Sequence, residues 1–123
     1  MGEGFDSSTG FRLPNGAERS PDLSWISQGR WEASTPRQRK GFVPLCPDFV
    51  VELSSESDSL PKLRAKMVEY LDNSTQLGWL IDPQNQRVEI YRIGRDAETL
   101  ERPTVLFGEA VLPGFCLSLK RVL

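Results

Sequence analysis

Asp22, Glu52 and Lys66 are the side chains with which this chain could perform hydrolysis. Asp22 follows a proline, Glu52 stands in the otherwise apolar stretch FVVEL, and Lys66 follows in LRAKMVEYLDN. A glutamate among valines and leucines is ordinary if its face meets water. It is costly if that face is covered, because a buried carboxylate needs a partner or a cation. Two carboxylates held about 5 Å apart repel by roughly 3 kcal/mol at an effective dielectric near 20. A divalent cation reverses that sign, and magnesium suits one or two carboxylates while keeping waters for the rest of its shell. A lysine from a different element then stabilises charge on a phosphate or orients an attacking water. That set is the minimum for metal-assisted phosphodiester hydrolysis. Spacing alone leaves each residue a plainer reading: Asp22 as a turn or strand-edge carboxylate, Glu52 as the wet side of a strand, Lys66 as a snorkelling helix lysine.

Composition narrows the alternatives. The sequence has no histidine among its 123 residues. That excludes a Ser-His-Asp triad, a Cys-His dyad, His-ligated zinc and a His general base. Neither phosphate-cradling glycine pattern, G-x-x-x-x-G-K-S/T nor G-x-G-x-x-G, occurs. Ser54 and Ser55 have no base partner, so serine nucleophilic chemistry is not expected. Fifteen Lys+Arg against 17 Asp+Glu give a net charge of −2. A non-specific nucleic-acid binder is usually basic, so any such contact must rest on local charge. Cys46 and Cys116 form no C-x-x-C and read as reduced, largely buried thiols of a cytoplasmic protein. No apolar run is long enough for a membrane span, and MGEGFDSSTG lacks the apolar region of a signal peptide. With 38% hydrophobic residues one core is within reach, and a single domain over 1–123 is expected.

The elements that must position these residues can be read from periodicity. Asp48 to Ser54 is the clearest strand: Phe49, Val51 and Leu53 line one face, and Asp48, Val50, Glu52 and Ser54 the other. Leu60 to Asn73 is the clearest helix, with Asp58 or Ser59 as cap, Pro61 in the first turn and Asn73 as stop. Leu63, Met67, Tyr70 and Leu71 share its apolar stripe. At about 100° per residue Lys66 lies on the shoulder of that stripe, whereas Lys62, a turn earlier, points further outward. Leu77 to Asp82 and Arg87 to Arg92, around Pro83-Gln84-Asn85-Gln86, predict a β-hairpin. Leu23 to Ile26 reads as a short strand, 30–41 as a short helix or long loop, and Glu98 to Leu123 as short strands broken by Pro and Gly. Near the amino end a strand and a turn are expected, with Asn15-Gly16 as the hairpin signal. The order gives an α+β fold with one helix against a mixed sheet.

Other polar and aromatic residues carry plainer expectations. Asp48 shares the Glu52 face but is expected to open the strand after Pro47, an auxiliary ligand role being the alternative. Asp82, before Pro83, suits an Asx-turn. Trp79 and Tyr91, on adjacent hairpin strands, suit packing rather than base stacking. Arg37, Arg39 and Lys40 read as a solvated charge run that could touch a DNA backbone.

The phrases RSPDLSW, CPDFVVELSS, LRAKMVEYLDN, LGWLIDPQNQRVEIYR and VLPGFCLSL, in this order, resemble the Uma-type restriction endonuclease family, a branch of the PD-(D/E)xK nucleases. The resemblance runs from about Phe5 to Leu123. It implies a restriction-endonuclease-like core, a mixed sheet flanked by helices. It also implies Mg2+ as cofactor with Mn2+ as substitute, DNA as substrate and a homodimer. Its first motif acid falls on Asp22 and its second on Glu52. The lysine of E-x-K would stand at position 54, which is Ser54; in many such nucleases it migrates to the following helix, where Lys66 stands, with Lys62 as second choice. Family members usually begin with further residues, so an N-terminal segment is expected to be missing here.

Two functions follow: a Mg2+-dependent DNA endonuclease using Asp22, Glu52 and Lys66, or a shortened, non-catalytic relative that serves as a binding or dimerisation module. Action on RNA is a weaker third.

Overall fold

The computed structural model describes residues 1–123 throughout. In chain order its elements are β1 (Gly2–Asp6), β2 (Phe11–Arg12), β3 (Glu18–Arg19), β4 (Leu23–Ser27), α1 (Gln28–Ala33), β5 (Phe49–Leu53), α2 (Leu60–Asp72), β6 (Leu77–Asp82), β7 (Arg87–Arg92), β8 (Glu98–Glu101), β9 (Val105–Phe107) and β10 (Cys116–Ser118). Six strands form one mixed sheet in the order β1-β4-β5-β6-β7-β8. Only β5 and β6 run parallel; the other neighbours are antiparallel. The parallel pair needs a crossover, and α2 supplies it. The expected mixed sheet with its principal helix is therefore present.

β5 and β6 are buried along nearly their whole length. That is the signature of strands covered on both faces. On one face Val50 and Leu80 meet Leu63, Met67 and Tyr70 of α2, together with Phe11, Leu13, Ile26, Val43 and Cys46. On the other face Phe49, Val51, Trp79, Ile81, Val88 and Ile90 are covered by the C-terminal meander through Leu106 and Leu119. The meander is the short-strand segment that the prolines and glycines predict, with β9 and β10 paired as a separate ribbon.

α2 follows its caps. Ser59 Oγ accepts the Lys62 N–H at 3.4 Å, and Pro61 occupies the first turn, where its missing N–H costs nothing. Asn73 closes the other end, its N–H bonded to the Glu69 and Tyr70 carbonyls. The amino-terminal hairpin clamps that end too: the Asn15 N–H donates to Asn73 Oδ1 at 2.9 Å, and Arg19 Nε to Glu69 Oε1 at 2.6 Å. Gly16 in the β2–β3 turn has φ +89°, the left-handed geometry that Asn15-Gly16 predicts.

Two expectations need correction. Cys46 is buried, but Cys116 is exposed, because β10 belongs to a two-stranded ribbon with one open face. Arg39 is not a solvated charge: its guanidinium lies 4.6 Å over the Trp31 ring and donates to Ser34 Oγ and the Trp31 carbonyl. Arg37 and Lys40 do remain exposed. Neither helix is long and apolar enough to cross a membrane.

α2 lies close to the sheet because Gly78 has no side chain there. A Cβ at Gly78 would stand 2.6 Å from Met67 Cε and 3.2 Å from Val50 Cγ2. Both neighbours are fully buried, and the branched Val50 cannot swing aside. Gly78→Ala is therefore expected to destabilise the fold by about 1–2 kcal/mol through overpacking, read as a lower urea midpoint. An unchanged midpoint would show that α2 has room to lift.

Candidate active site

The alternation of β5 turns Val50 and Glu52 toward α2, and the neighbouring strands bring further polar groups into the same layer. Glu52 pairs with Leu80 across β6, and Leu80 pairs with Glu89 across β7. Paired residues share a face, so one rung carries Glu52, Leu80 and Glu89 beneath the helix. Asp22 stands one residue outside the β4–β5 ladder, whose last pair is Leu23 opposite Val51. Its Oδ2 accepts the Leu53 N–H at 2.7 Å, which fixes it at the same end of β5.

The structure thus brings Asp22, Glu52 and Lys66 together. Glu52 is 3% exposed, so the face that could have been wet is covered and its carboxylate needs partners. They come from α2: the Tyr70 hydroxyl donates to Oε2 at 2.9 Å, and Lys66 Nζ lies 3.6 Å from the same oxygen. Lys66 sits on the helix shoulder as its spacing predicts, with its side chain one-third exposed at 34%. Lys62 is fully on the outer surface and makes no ion pair. Ser54, at the E-x-K lysine position, is buried, and its Oγ turns to the Ser55 carbonyl at 3.4 Å.

Burial holds the Glu52 carboxyl above its ordinary value. The Lys66 charge and the Tyr70 hydrogen bond pull it back, and the Asp22 charge pushes it up again. Tyr70 is pushed up in turn, first by its own burial and then by the Glu52 charge, so it stays a hydrogen-bond donor. Glu89 shows the opposite balance on the same rung. Burial raises it, but Arg64, bonding both oxygens at 2.9 and 3.1 Å, and the Tyr91 hydroxyl at 2.6 Å outweigh that and hold it below its ordinary value.

The remaining acids are absorbed by structure. Asp48 opens β5 as expected, accepting the Ser27 N–H at 2.8 Å and pairing with Arg30 at 2.8 Å. Asp82 holds the hairpin turn through the Asn85 side-chain amide at 2.8 Å rather than through an Asx-turn backbone bond. Trp79 packs edge-to-face on Phe49 at 4.8 Å, within the core. The Glu89–Arg64–Tyr91 cluster and the Tyr70 contact have no counterpart among the sequence expectations. The sequence signal for Tyr70 was its place on the Lys66 helix, one turn on.

The donor set is oxygen-only: two carboxylates, each with one oxygen engaged by the protein. Glu52 Oε1 accepts no hydrogen bond from the chain and is not sealed from solvent. Such a set fits a hard divalent cation such as Mg2+ or Mn2+, not a thiolate or imidazole metal.

The sequence model of a family described as "Uma2: Putative restriction endonuclease" matches residues 1–120. No curated protein matches the sequence. Among solved structures, the chain is similar to a crystal structure described as a putative nuclease belonging to DUF820 from Anabaena variabilis. The TM-score is 0.78 at 26% identity, over 98% of this chain and 66% of that one. The chain thus spans just under two thirds of that neighbour's length.

Glu52 and Glu89 should respond oppositely to pH. A carboxyl raised on folding destabilises the folded state once ionised, so its cost is absent below the ordinary carboxylate range and complete above the folded value. Glu52→Gln is expected to stabilise the protein by about 1 kcal/mol near pH 8, the gain vanishing near pH 3. Glu89 is lowered, so its contribution is present at neutral pH and lost in acid. Glu89→Gln is expected to cost about 1–2 kcal/mol near pH 8, moderated by the half-exposed Arg64, and little near pH 3. Urea titrations at both pH values check the pair; a destabilised Glu52→Gln at pH 8 would contradict the account of Glu52.

Proposed function

The chain belongs to the Uma2 family, and on that premise we propose that it is a magnesium-dependent endonuclease hydrolysing phosphodiester bonds in DNA. The observation that carries this reading is Glu52: a carboxylate enclosed under a helix, opposed by burial, beside Asp22 and Lys66. A protein retains such a group where it binds or reacts more readily than where it stabilises. Asp22 and Glu52 would hold the cation, which when bound supplies a counter-charge and Lewis acidity toward a phosphate and its attacking water.

The chain's own residues divide the rest of the work. Lys66 is partly exposed and lies 3.6 Å from Glu52, so its ammonium can stabilise negative charge that builds on a phosphate at the site. The Leu53 N–H holds one Asp22 oxygen, which leaves the other outward. With no histidine in the chain, oxygen and lysine groups must do all the proton and charge handling. The net charge of −2 makes long-range attraction to DNA weak, so binding rests on local cations such as Lys62 and Lys66 at the helix edge.

Cutting both strands of a duplex takes two such sites, so the proposal extends to a homodimer. Phe107 and Phe115 of the meander, 61% and 44% exposed, are the apolar surface available for it. A second reading, a binding module without catalysis, is favoured by one observation: a buried serine stands where the motif lysine would be.

Incubation with supercoiled plasmid and Mg2+ separates the readings. Nicking is expected, reduced to background by Asp22→Ala or Glu52→Ala and by about 100-fold or more by Lys66→Ala. Nicking that survives Glu52→Ala removes the catalytic assignment. A folded chain that neither nicks nor takes up Mg2+ in calorimetry overturns the catalytic reading and supports the non-catalytic one. Light scattering at twice the chain mass of 13.9 kDa supports the dimer, and the single mass overturns it.

A further inference from the structure

We infer that Tyr70 is a positioning residue that decides which oxygen of Glu52 is offered to a cation; this rests on the metal-dependent reading above. The Tyr70 ring is fully buried in the layer beneath α2 with Leu63 and Met67. Its hydroxyl reaches the edge of that layer and donates to Glu52 Oε2 at 2.9 Å. The residue is held at the other end as well. Its carbonyl accepts the Thr75 N–H at 3.0 Å and the Asn73 N–H at 3.1 Å. A rigid ring between two fixed ends is a poor surface donor and a good strut.

The consequence lies in how Glu52 divides its oxygens. Tyr70 and Lys66, one helical turn apart, both approach Oε2, and Oε1 accepts no hydrogen bond from the chain. Glutamate has a broad terminal torsion, so nothing in the side chain itself prevents the carboxylate from turning both oxygens toward Lys66. The hydroxyl removes that freedom: rotation would break its bond in a covered site, where an unmade bond is expensive. Asp22 is arranged in the same way by a different donor, the Leu53 N–H on Oδ2 at 2.7 Å. Each acid is pinned by one oxygen and free at the other. The free oxygens belong to groups at the same end of β5, as a shared cation requires.

Tyr70→Phe deletes only the hydroxyl and keeps the ring. In the full chain it is expected to weaken Mn2+ binding by about tenfold in calorimetry, the size of effect typical for groups that orient a ligand. Plasmid nicking should fall at fixed Mn2+ and recover at saturating Mn2+, while the lost buried hydrogen bond lowers the thermal midpoint by a few degrees. A purely structural role would lower the midpoint and leave Mn2+ affinity alone, and that result overturns the inference. Lys66→Ala is the control on the other donor to Oε2. It should bind Mn2+ as well as wild type or better, since a positive charge has left the site. Equal weakening in both variants would show general loosening of α2 and also overturns the inference. In the unmutated chain the 13Cζ resonance of Tyr70 should move with Mg2+ at the calorimetric half-saturation; no movement at saturation counts against the strut. Failure of wild type to bind either ion removes the metal reading and this inference together, whereas wild-type binding with an unaffected Tyr70→Phe removes this inference alone.

Discussion

Glu52 is the constraint around which the rest of the molecule is arranged. Its strand is covered on both faces, by α2 and its neighbours on one and by the C-terminal meander on the other. An ionised carboxylate in such a layer opposes folding unless something compensates it. Tyr70 and Lys66 compensate in part, and the carboxyl is still held above its ordinary value by burial. Glu89, two strands away on the same rung, shows what full compensation looks like: a guanidinium on both oxygens and a phenol on one. One face therefore holds a carboxylate lowered by its partners and one raised by burial despite them. The first ties the helix to β7 through Arg64, and the second keeps one oxygen without a hydrogen bond from the chain.

The topology explains why these groups gather at one end of the sheet. β5 enters the sheet, α2 crosses over, and β6 returns parallel, so the carboxyl end of β5 and the start of α2 meet. Clefts at the carboxyl ends of parallel strands are where open α/β sheets offer polar groups. Asp22 arrives there from the antiparallel neighbour β4, which begins where β5 ends. The site thus draws on segments far apart in sequence but needs only local events to assemble: a strand end, a helix shoulder and a ladder boundary.

Much of this was legible in the sequence, for reasons that differ by element. β5, α2 and the β6–β7 hairpin follow from strong periodicity and explicit punctuation, Ser59 and Pro61 at one end of the helix and Asn73 at the other. Lys66 could be placed because a helix fixes angles: the shoulder of the stripe is a geometric consequence of Leu63 and Tyr70 being buried. The convergence of Asp22 with Glu52 came from the family resemblance, since nothing local in PDLSW says which strand it will pair with. Tyr70's hydroxyl, the Arg30–Asp48 pair and the Arg64 clamp on Glu89 depend on which face meets which. Propensity is blind to that. Cys116 is exposed for the same reason: thiol chemistry and compartment say nothing of which face its strand turns outward, and β10 pairs only with β9.

A lysine on the helix, with Ser54 at the E-x-K position itself, has a physical cost and a consequence. A lysine at position 54 would share the rigid backbone of Glu52. At position 66 its distance from Glu52 depends on how α2 is seated. The structure seats α2 at several points: Gly78 lets it approach, Arg64 ties it to β7, and Asn15 and Arg19 grip its far end. Leu63, Met67 and Tyr70 fill the space between. Residues remote from the two acids thereby set the geometry between Lys66 and Glu52, and a shift of even an ångström in a positioning group is costly to chemistry. Helix docking and the charge balance of the pocket are in this way a single property of the fold.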